Sequence, residues 1–376
     1  MSTYFFSAPG RTEISGNHTD HQHGRVLAAA VNLETVAEVL VLDDPVIIIH
    51  SEGYPSVRIE LDDLSIHEEE KNTTAALVRG VAAAFAVRGA ELKGFLAKVK
   101  STVLPGSGLS SSAAFEVLIG TIINELFFEK KLTAVEIAQI GQWAENVYFG
   151  KPCGLMDQTA SSVGGMVFID FRDPENPIAE KLDFDFEKAG HSLCIIDCGA
   201  DHANLTGEYA AIPYELKALC ALFGKKVLRD IPEDDFFQKL HSVRHKVSDR
   251  ALLRAIHFYQ ENKRVQKQVK ALKENDFDAF LQLVKESGRS SWMYLQNITP
   301  AGAVEHQDMA LALAMCDTLL AGRGAFRVHG GGFAGTVQAF VPVEMVDAFK
   351  QRIEAVFGKN SCHVLSVRNE GSIRVK

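Results

Sequence analysis

The sequence predicts a two-domain protein in which β-strands and α-helices are mixed. Its 376 residues, 47% of which are hydrophobic, can form one large core or two ordinary ones. Strand and helix patterns alternate through the first half, whereas a long, mainly helical stretch fills much of the second half before strands return. We therefore expect domains at 1–188 and 189–376 that share a large interface, with the working cleft between them.

The first half contains clear start and stop signals. Pro105 ends a strand, and Thr133-Ala134-Val135-Glu136 has the S/T-x-x-E spacing of a helix capping box. Turns at Leu33-Glu34 and Asp43-Asp44 would divide residues 25–50 into short strands. The predicted elements, in order, are strands within 25–50, a helix at 73–88, a strand at 93–104, helices at 110–128 and 133–150, and a strand at 166–171.

The second half begins with a strand pattern at 191–197 and is then mainly helical to about residue 321. Strands follow at 326–328 and 336–341, with a further one near the C-terminus. The sequence contains no internal repeat, low-complexity tract or floppy linker that would hold the halves apart. This continuity supports the expectation of a shared interface.

The charge and the cysteines exclude several classes of function. A net charge of −9 argues against non-specific binding to nucleic acid or to an anionic membrane, although a cleft can still gather local cations around a phosphorylated ligand. The six cysteines are scattered without a C-x-x-C pair, which predicts free thiols in a reducing compartment. No secretory signal pattern and no apolar stretch of membrane length is present. We expect a soluble cytoplasmic protein, and the sequence indicates no obligate protein partner.

A loop rich in glycine and serine joins the strand at 93–104 to the helix at 110–128. Backbone N–H groups in such a loop converge, and the positive end of the following helix favours phosphate. The loop lacks the Gly-Lys-Ser/Thr of a Walker A motif, and Ser111 replaces the third glycine of a dinucleotide fingerprint. Taken alone, it is equally compatible with an ordinary serine-capped helix. Its residues are Gly106, Ser107, Gly108, Leu109, Ser110, Ser111 and Ser112.

Two further motifs accompany this loop. Residues 10–20 read Gly-Arg-Thr-Glu-Ile-Ser-Gly-Asn-His-Thr-Asp, which places a cation beside side chains suited to hydrogen-bonding a sugar. Far downstream, the glycine run at 330–335 supplies a backbone that can approach a ligand closely. Each motif is weak evidence alone, but the ordered set predicts a site where a phosphate meets a sugar.

Together the motifs resemble those of the GHMP small-molecule kinases, and of the galactokinase family in particular. The loop is similar to the GHMP ATP-binding motif, and residues 10–20 resemble the galactokinase signature. Glu145-Asn146 and the segment 150–158 are similar to the galactokinase segment that carries the catalytic carboxylate. The run at 330–335 resembles the third GHMP motif, and the resemblance extends from about residue 7 to the end of the chain.

This resemblance implies an α+β fold of the GHMP kinase type. The N-terminal domain would be like domain 2 of ribosomal protein S5, and the C-terminal domain would be ferredoxin-like with added helices. The implied activity is phosphoryl transfer from ATP to O1 of a sugar, most directly galactose, with Mg²⁺ as the metal ion. The implied partners are therefore ATP and a small-molecule sugar.

The same resemblance implies a role for each motif. Asp157 would orient or deprotonate the anomeric hydroxyl, and Arg11 would lie beside it, lower its pKa and stabilise the transferred phosphoryl group. Ser112 and Glu145 would hold Mg²⁺. ATP would be bound by Gly106, Ser107, Gly108, Leu109, Ser110, Ser111 and Ser112, and the sugar by Asn17, His18, Thr19, Asp20, Gly154 and Tyr209.

Two departures from the family pattern leave the sugar open. Galactokinases usually have glutamate at the position of Asn17 and tyrosine at that of His21. A glutamate at this position would repel a carboxylate on C6 of the sugar. The repulsion is roughly 4 kcal/mol for like charges about 4 Å apart at an effective dielectric of about 20. Asparagine could instead donate a hydrogen bond to that carboxylate. Galacturonate is therefore the alternative substrate to galactose.

Other classes of function are weaker alternatives. A sugar sensor that keeps the kinase fold is the main non-enzymatic one, although the catalytic and metal-binding residues of the family motifs are all present. Other GHMP kinases lack the His-Thr-Asp motif, and a dinucleotide dehydrogenase would need a different glycine spacing. The spacing of His18, His21 and His23 is not that of a transition-metal site.

Overall fold

A computed structural model describes residues 3–103, 108–199, 205–333 and 335–375 of the chain. Gly106 and Ser107, which are predicted to bind ATP, lie outside these described residues. The described residues form two β-sheets, one of eight strands and one of four, with helices packed against them. The mixed strand and helix patterns of the sequence thus correspond to an α+β fold, as the resemblance implied.

The larger sheet comes mainly from the first half of the chain. Its strands are β1 (Thr3–Ser15), β2 (Arg25–Val41), β3 (Val46–Ser51), β4 (Val57–Glu60), β5 (Phe95–Ser101), β6 (Met166–Asp170), β7 (Ile178–Leu182) and the C-terminal β12 (Ile373–Arg374). They are ordered β12-β1-β2-β5-β3-β4, and β6 pairs with both β2 and β7. Of these neighbours only β3 and β5 are parallel. The long β1–β2 pair carries the N-terminal motif.

Strand β2 runs unbroken through the turn predicted at Leu33-Glu34, so that prediction is wrong. Glu34 pairs with Pro9 of β1 in the ladder. Its Oε2 accepts hydrogen bonds from Ser7 Oγ at 2.5 Å and from Arg368 Nη1 at 2.6 Å. Because these partners come from distant parts of the chain, the local pattern could not reveal that a charged residue continues the strand.

Three helices, α1 (Thr74–Val87), α2 (Ser111–Phe127) and α4 (Met156–Val163), pack against the larger sheet, and α3 (Ala134–Ala144) packs against these helices. Helices and sheet enclose an apolar core that includes Phe85, Phe95 and Ile119. The predicted capping box of Thr133 and Glu136 is confirmed, since each side chain accepts a hydrogen bond from the other's backbone N–H. A π-helical turn, Glu145–Phe149, follows α3, and such turns are frequent at functional sites.

The smaller sheet belongs to the second half of the chain. Its strands are β8 (His191–Asp197), β9 (Ala325–His329), β10 (Thr336–Pro342) and β11 (Cys362–Leu365), all antiparallel and ordered β11-β8-β10-β9. Its helices are α5 (Thr206–Ala221), α6 (Glu233–Val243), α7 (Asp249–Lys273), α8 (Phe277–Ser290), α9 (Asp308–Leu320) and α10 (Val346–Phe357). With α10 between β10 and β11, this is a ferredoxin-like arrangement with added helices. The strands predicted at 191–197, 326–328 and 336–341 are confirmed.

One apolar core spans both halves of the chain. Ile14 and Leu27 of the larger sheet share a cluster with Leu193, Val265 and Phe340 of the second half. Strand β12 also returns from the C-terminus to pair with β1. The halves are therefore packed together extensively, and the division into 1–188 and 189–376 stays a prediction.

A buried ion pair holds the N-terminal motif against the smaller sheet. Arg327 of β9 is fully buried, and its Nη2 lies 2.5 Å from Glu13 Oε1 in β1. Arg327 Nη1 also donates to the backbone carbonyl of Ile14 at 2.8 Å. A buried pair needs such additional hydrogen bonds to offset the cost of desolvation. The position of β1 relative to β9 is therefore closely defined.

Candidate active site

A bidentate ion pair joins the N-terminal motif to the segment that follows α3. Arg11 lies in β1, and Asp157 lies in the first turn of α4. Arg11 Nε donates to Asp157 Oδ1 at 2.8 Å, and Arg11 Nη2 donates to Asp157 Oδ2 at 2.6 Å. Two parallel hydrogen bonds of this kind fix the relative orientation of both groups. The Arg11 side chain is 8% exposed and that of Asp157 is 30% exposed, so the carboxylate is the more accessible partner.

The ion pair keeps both groups charged. Burial would raise the pKa of Asp157, but the charge and hydrogen bonds of Arg11, with a hydrogen bond from Ser110, hold that pKa below its ordinary value. Burial would likewise lower the pKa of Arg11, but the charge of Asp157 outweighs burial and the Arg11 pKa lies above its ordinary value. The structure thus contains the predicted contact between the two residues, whereas their catalytic roles stay a prediction.

The described part of the predicted phosphate loop reaches the same ion pair. Ser110 Oγ donates to Asp157 Oδ2 at 2.7 Å, and Arg11 Nη1 donates to the backbone carbonyl of Gly108. Ser110 is the N-cap residue of α2, with a φ of 58°, and its side chain makes no capping hydrogen bond. The alternative of an ordinary serine cap is therefore incorrect for Ser110, because its hydroxyl binds Asp157 instead.

The remaining described residues of the loop surround the start of α2. Gly108 has a φ of +71°, and a Cβ atom there would meet Thr336 Oγ1 at 2.7 Å, so a side chain would not fit. Leu109 is fully buried. Ser111 and Ser112 are half-buried in the first turn of α2. Both serines therefore lie at the positive end of a 17-residue helix.

The predicted sugar-binding residues Asp20 and Gly154 lie in direct contact. A Cβ atom at Gly154 would fall 1.9 Å from Asp20 Oδ2, so glycine is required beside this carboxylate. Burial raises the pKa of Asp20 to about 6; the backbone N–H of His21 opposes this shift, and the negative charges of Asp157 and Glu13 add to it. The contact between Asp20 and Gly154 brings the N-terminal motif and the 150–158 segment together.

Asn17 and Thr19 are fully buried, and their side chains form hydrogen bonds with other groups of the protein. Asn17 Nδ2 donates to Glu13 Oε1 at 3.0 Å and to the carbonyl of Gly330 at 2.6 Å, and its Oδ1 accepts from Asn297 Nδ2 at 2.8 Å. Thr19 Oγ1 lies 2.8 Å from the carbonyl oxygen of Gly16 and 2.7 Å from that of Arg25, and its single proton can be donated to either. These contacts hold the N-terminal loop in shape, and the contact of both side chains with the sugar stays a prediction.

His18 and Tyr209, also predicted to bind the sugar, both contact the downstream glycine run. His18 Nε2 lies 2.9 Å from the carbonyl oxygen of Gly331, and Tyr209 Oη donates to the carbonyl of Gly332 at 2.8 Å. Burial lowers the pKa of His18 despite that contact. A Cβ atom at Gly331 would come within 2.6 Å of the Tyr209 ring. The glycine run therefore lets the backbone support both side chains at close range.

Two buried glutamates share one hydrogen-bond donor where the metal ion is predicted. Glu116 and Glu145 are 1% and 4% exposed, and each accepts a hydrogen bond of 3.0 Å from Gln158 Nε2. Lys151 Nζ lies 3.3 Å from Glu145 Oε1. Burial, and next the charge of Glu145, raise the pKa of Glu116 well above its ordinary value. The two carboxylates are therefore close enough to repel each other.

The chemistry of these groups suits a divalent cation. Glu116 Oε1 and Gln158 Oε1 are buried and accept no hydrogen bond from any described residue. Mg²⁺ prefers oxygen ligands and is commonly held by one or two carboxylates together with phosphate oxygens and water. Within the described ranges, no group of three His, Cys, Asp or Glu side chains could hold a metal by itself. Phosphate oxygens, or the predicted ligand Ser112, would have to complete the set.

Glu116 and Gln158 are absent from the residues that the sequence predicts for the site. A signal for Glu116 exists, because it lies four residues after Ser112 and therefore on the same side of α2. Gln158 directly follows Asp157. Neither spacing is specific, since many exposed helix faces carry polar residues four apart. Burial distinguishes these two side chains, and burial depends on the fold.

Comparison with known proteins identifies the family. The description "Galactokinase galactose-binding signature" matches residues 2–40, and "GHMP kinases N terminal domain" matches residues 76–165. A galactokinase of Streptomyces coelicolor is 32% identical over 355 residues, which cover 94% of this chain and 88% of that protein. The chain belongs to the galactokinase family.

Further comparisons agree with membership of the galactokinase family. A galactokinase of Actinobacillus pleuropneumoniae is 31% identical over 361 residues, covering 94% of this chain and 89% of that protein. The structure of Lactococcus lactis galactokinase complexed with galactose matches with a TM-score of 0.83 at 22% identity, covering 100% of this chain and 95% of that one. A mevalonate kinase structure matches with a TM-score of 0.66 at 16% identity, covering 97% and 99%. These two structures confirm the GHMP kinase fold.

Across the described ranges, none of the helices combines the length and the apolar character that crossing a membrane would take.

Proposed function

We propose that this protein is an ATP-dependent galactokinase, which transfers the γ-phosphoryl group of ATP to O1 of galactose. The Arg11–Asp157 pair carries the proposal, because Ser110 of the phosphate loop binds it and Gly154, three residues before Asp157, contacts Asp20 of the sugar motif. Membership of the galactokinase family supports the same reaction. The six cysteines are free thiols, which supports a reducing, cytoplasmic location.

Asp157 is the proposed group that orients the anomeric hydroxyl. Its lowered pKa keeps it ionised at neutral pH, so its oxygens can accept a hydrogen bond from the hydroxyl and take the proton as the O1–P bond forms. Arg11 holds the carboxylate through two hydrogen bonds and places a positive charge beside the transferred group.

Asp20, His18, Tyr209 and the backbone at Gly154 are the proposed sugar contacts. Asp20 and His18 are half-buried at the surface of the N-terminal loop. An ionised carboxylate binds sugar hydroxyls through directional, charge-assisted hydrogen bonds. The buried side chain of Asn17 binds Asn297 and thereby fixes the loop that carries His18 and Asp20.

Galactose is favoured over galacturonate. The galacturonate alternative requires Asn17 to donate to a C6 carboxylate, but its amide hydrogens already bind Glu13 and Gly330. Asp20 and Glu13 would also repel a further negative charge in this part of the cleft. A neutral hexose therefore suits the site better than a uronic acid.

The phosphate loop and the buried glutamates form the proposed nucleotide side. Backbone N–H groups of residues 106–112 and the N-terminus of α2 would hold the ATP phosphates. Glu145 and Ser112 would hold Mg²⁺, which supplies neutralisation of the charge on the β- and γ-phosphates. The contact of Lys151 with Glu145 supports a cation at this carboxylate.

A substrate panel tests the proposal. The purified protein receives ATP, Mg²⁺ and, separately, galactose, galacturonate, glucose or mevalonate, and ADP release is measured. We expect turnover with galactose and, by NMR of the product, phosphate on O1. Preferred turnover of galacturonate would replace the proposed substrate. Galactose binding without ADP release would favour a sugar sensor instead.

A further inference from the structure

Glu116 is a buried acid to which the reaction described above gives no role. It lies in the second turn of α2 and is 1% exposed. Its Oε2 accepts a hydrogen bond from Gln158 Nε2 at 3.0 Å, and Glu145 Oε2 accepts one from the same nitrogen at the same distance. A single amide nitrogen thus holds two carboxylates that come from separate elements.

The hydrogen bonding around Glu116 is incomplete. Glu116 Oε1 and Gln158 Oε1 are both buried, and neither has a hydrogen-bond partner among the described residues. Buried polar atoms almost always have partners, and an unsatisfied charged group is the most costly kind. Gln158 is itself fully buried. The unused oxygens therefore point to a bound group that completes the cluster.

The charge of the cluster is incomplete as well. Ionisation of both Glu116 and Glu145 would place two like charges in a buried position, and buried charges are costly unless an opposite charge accompanies them. Lys151, whose side chain is 61% exposed, contacts Glu145, whereas among the described residues no cationic side chain forms an ion pair with Glu116. A further cation would balance the cluster, and this is the chemistry of a divalent-ion site.

Gly141 of α3 makes room for this arrangement. A Cβ atom at Gly141 would lie 3.2 Å from Glu116 Oε2 and 3.2 Å from Gln158 Cγ. Glycine inside a helix is about 1 kcal/mol less favourable than alanine. The helix α3 therefore gives up local stability at the point where it passes over Glu116 and Gln158.

We propose that Glu116 is a second carboxylate of the divalent-cation site and acts with Glu145 when nucleotide and metal ion bind. Ser112, a predicted ligand, lies one turn before Glu116 on the same side of α2. A site with two carboxylates, a hydroxyl and phosphate oxygens matches the preference of Mg²⁺ for oxygen ligands. The inference rests on the proposed function, since the nucleotide phosphates complete the set.

Metal binding without turnover tests this assignment. Mn²⁺ is titrated into the full chain with a non-hydrolysable ATP analogue and no sugar, and bound Mn²⁺ is measured by electron paramagnetic resonance. E116Q keeps the shape of the side chain but removes its charge, and we expect its Kd for Mn²⁺ to rise about tenfold or more. E125Q is the matched control: Glu125 lies further along α2, is 15% exposed and pairs with Lys130. E125Q should bind Mn²⁺ like the wild-type protein.

Thermal unfolding of the metal-free proteins separates binding from folding. Weaker Mn²⁺ binding by E116Q with an unchanged or higher Tm supports the assignment, whereas wild-type affinity overturns it. If E116Q also lowers the Tm, E116D decides, because it keeps the charge on a shorter side chain. Binding by E116D that is stronger than by E116Q then supports the assignment, and binding that is no stronger overturns it.

The proposed galactokinase activity and the proposed role of Glu116 can be rejected independently of each other. The Mn²⁺ titration requires neither galactose nor phosphoryl transfer. Absence of sugar turnover in the substrate panel, together with a loss of Mn²⁺ affinity in E116Q, would reject the proposed function and leave Glu116 in the cation site. Galactose turnover together with unchanged Mn²⁺ affinity in E116Q would reject only the role of Glu116.

Discussion

The Arg11–Asp157 pair and the Glu116–Glu145 pair are neighbours with opposite electrostatics. The first joins opposite charges through hydrogen bonds of 2.8 and 2.6 Å, and Ser110 adds a third hydrogen bond. The second brings like charges to one shared donor and leaves Glu116 Oε1 without a partner among the described residues. Preorganised catalytic groups are complete before substrate arrives, whereas a cation site is completed by its ion.

Consecutive residues of α4 connect the two pairs. Asp157 belongs to the first pair, and Gln158 holds both glutamates of the second. Because the two residues share one helical turn, a shift of this turn would change both the orientation of the Asp157 carboxylate and the spacing of the two glutamates. In the proposed site, contacts within the chain therefore complete the Arg11–Asp157 pair, whereas nucleotide and metal ion would complete the Glu116–Glu145 pair.

Replacing Asp157 by asparagine breaks the complete pair, and we expect the largest effect from it. The amide keeps the shape of the side chain but can neither take a proton nor carry the charge that pairs with Arg11. The kcat should fall by about 10²- to 10⁴-fold, while galactose binding measured by calorimetry is retained. A kcat within tenfold of the wild-type value would remove Asp157 from the reaction.

The substitution Gly154→Ala tests whether sugar phosphorylation tolerates a displacement of Asp20 or of the backbone at residue 154. The added methyl group would lie 1.9 Å from Asp20 Oδ2, so one of the two must move by more than 1 Å. We expect kcat/KM for galactose to fall by about 10²-fold. Gly207→Ala is the control, because a Cβ atom there meets no described atom within 4 Å. Equal activity of the two variants would exclude Gly154 from the sugar site.

The pKa of Asp20 makes sugar binding depend on pH. Its raised value of about 6 means that the ionised form, which accepts hydrogen bonds from sugar hydroxyls, is lost below that pH. The KM for galactose should rise about tenfold between pH 7 and pH 5. Asp20→Asn should bind more weakly and lose this dependence. A pH-independent KM in the wild-type protein would contradict the role of Asp20.

The same raised pKa affects the stability of the sugar-free protein with the opposite sense. The folded state binds the Asp20 proton more tightly than the unfolded state does. The contribution of Asp20 to stability is therefore full below its ordinary pKa and is lost as the pH rises through about 6. Urea unfolding at pH 4 to 7, compared with Asp20→Asn, measures this difference.

The substitution Glu145→Gln removes one charge from the Glu116–Glu145 pair. We expect only a small change in the stability of the metal-free protein. In the metal-free protein we expect an increase of about 1 kcal/mol in the free energy of unfolding. Burial and then the charge of Glu145 raise the pKa of Glu116, and the substitution removes that charge. The lost contact with exposed Lys151 costs little. Urea unfolding with EDTA measures the change, and E125Q is again the control. A clear loss of stability would show that the two glutamates do not repel each other.

The burial of Asn17 and Thr19 shows where prediction from sequence ends. Both residues lie in the motif that resembles the family signature, and the resemblance implies contact with the sugar. In the structure Asn17 binds Gly330 and Asn297, which are 313 and 280 positions away in the chain, whereas Thr19 contacts the nearby carbonyl of Gly16. A motif identifies which residue types are present, but it does not show which of them point outwards.

The sequence by itself determined the family, the order of most strands and helices, the capping box of α3 and the residues that meet at Arg11 and Asp157. These features depend on local patterns or on motifs whose order is preserved. Only the tertiary structure decided that β2 continues past Glu34, that Asn17 is buried, and that Glu116 faces Glu145 across Gln158. The physical reason is common to all three: the energy of a buried polar group depends on partners that the fold brings from far along the chain.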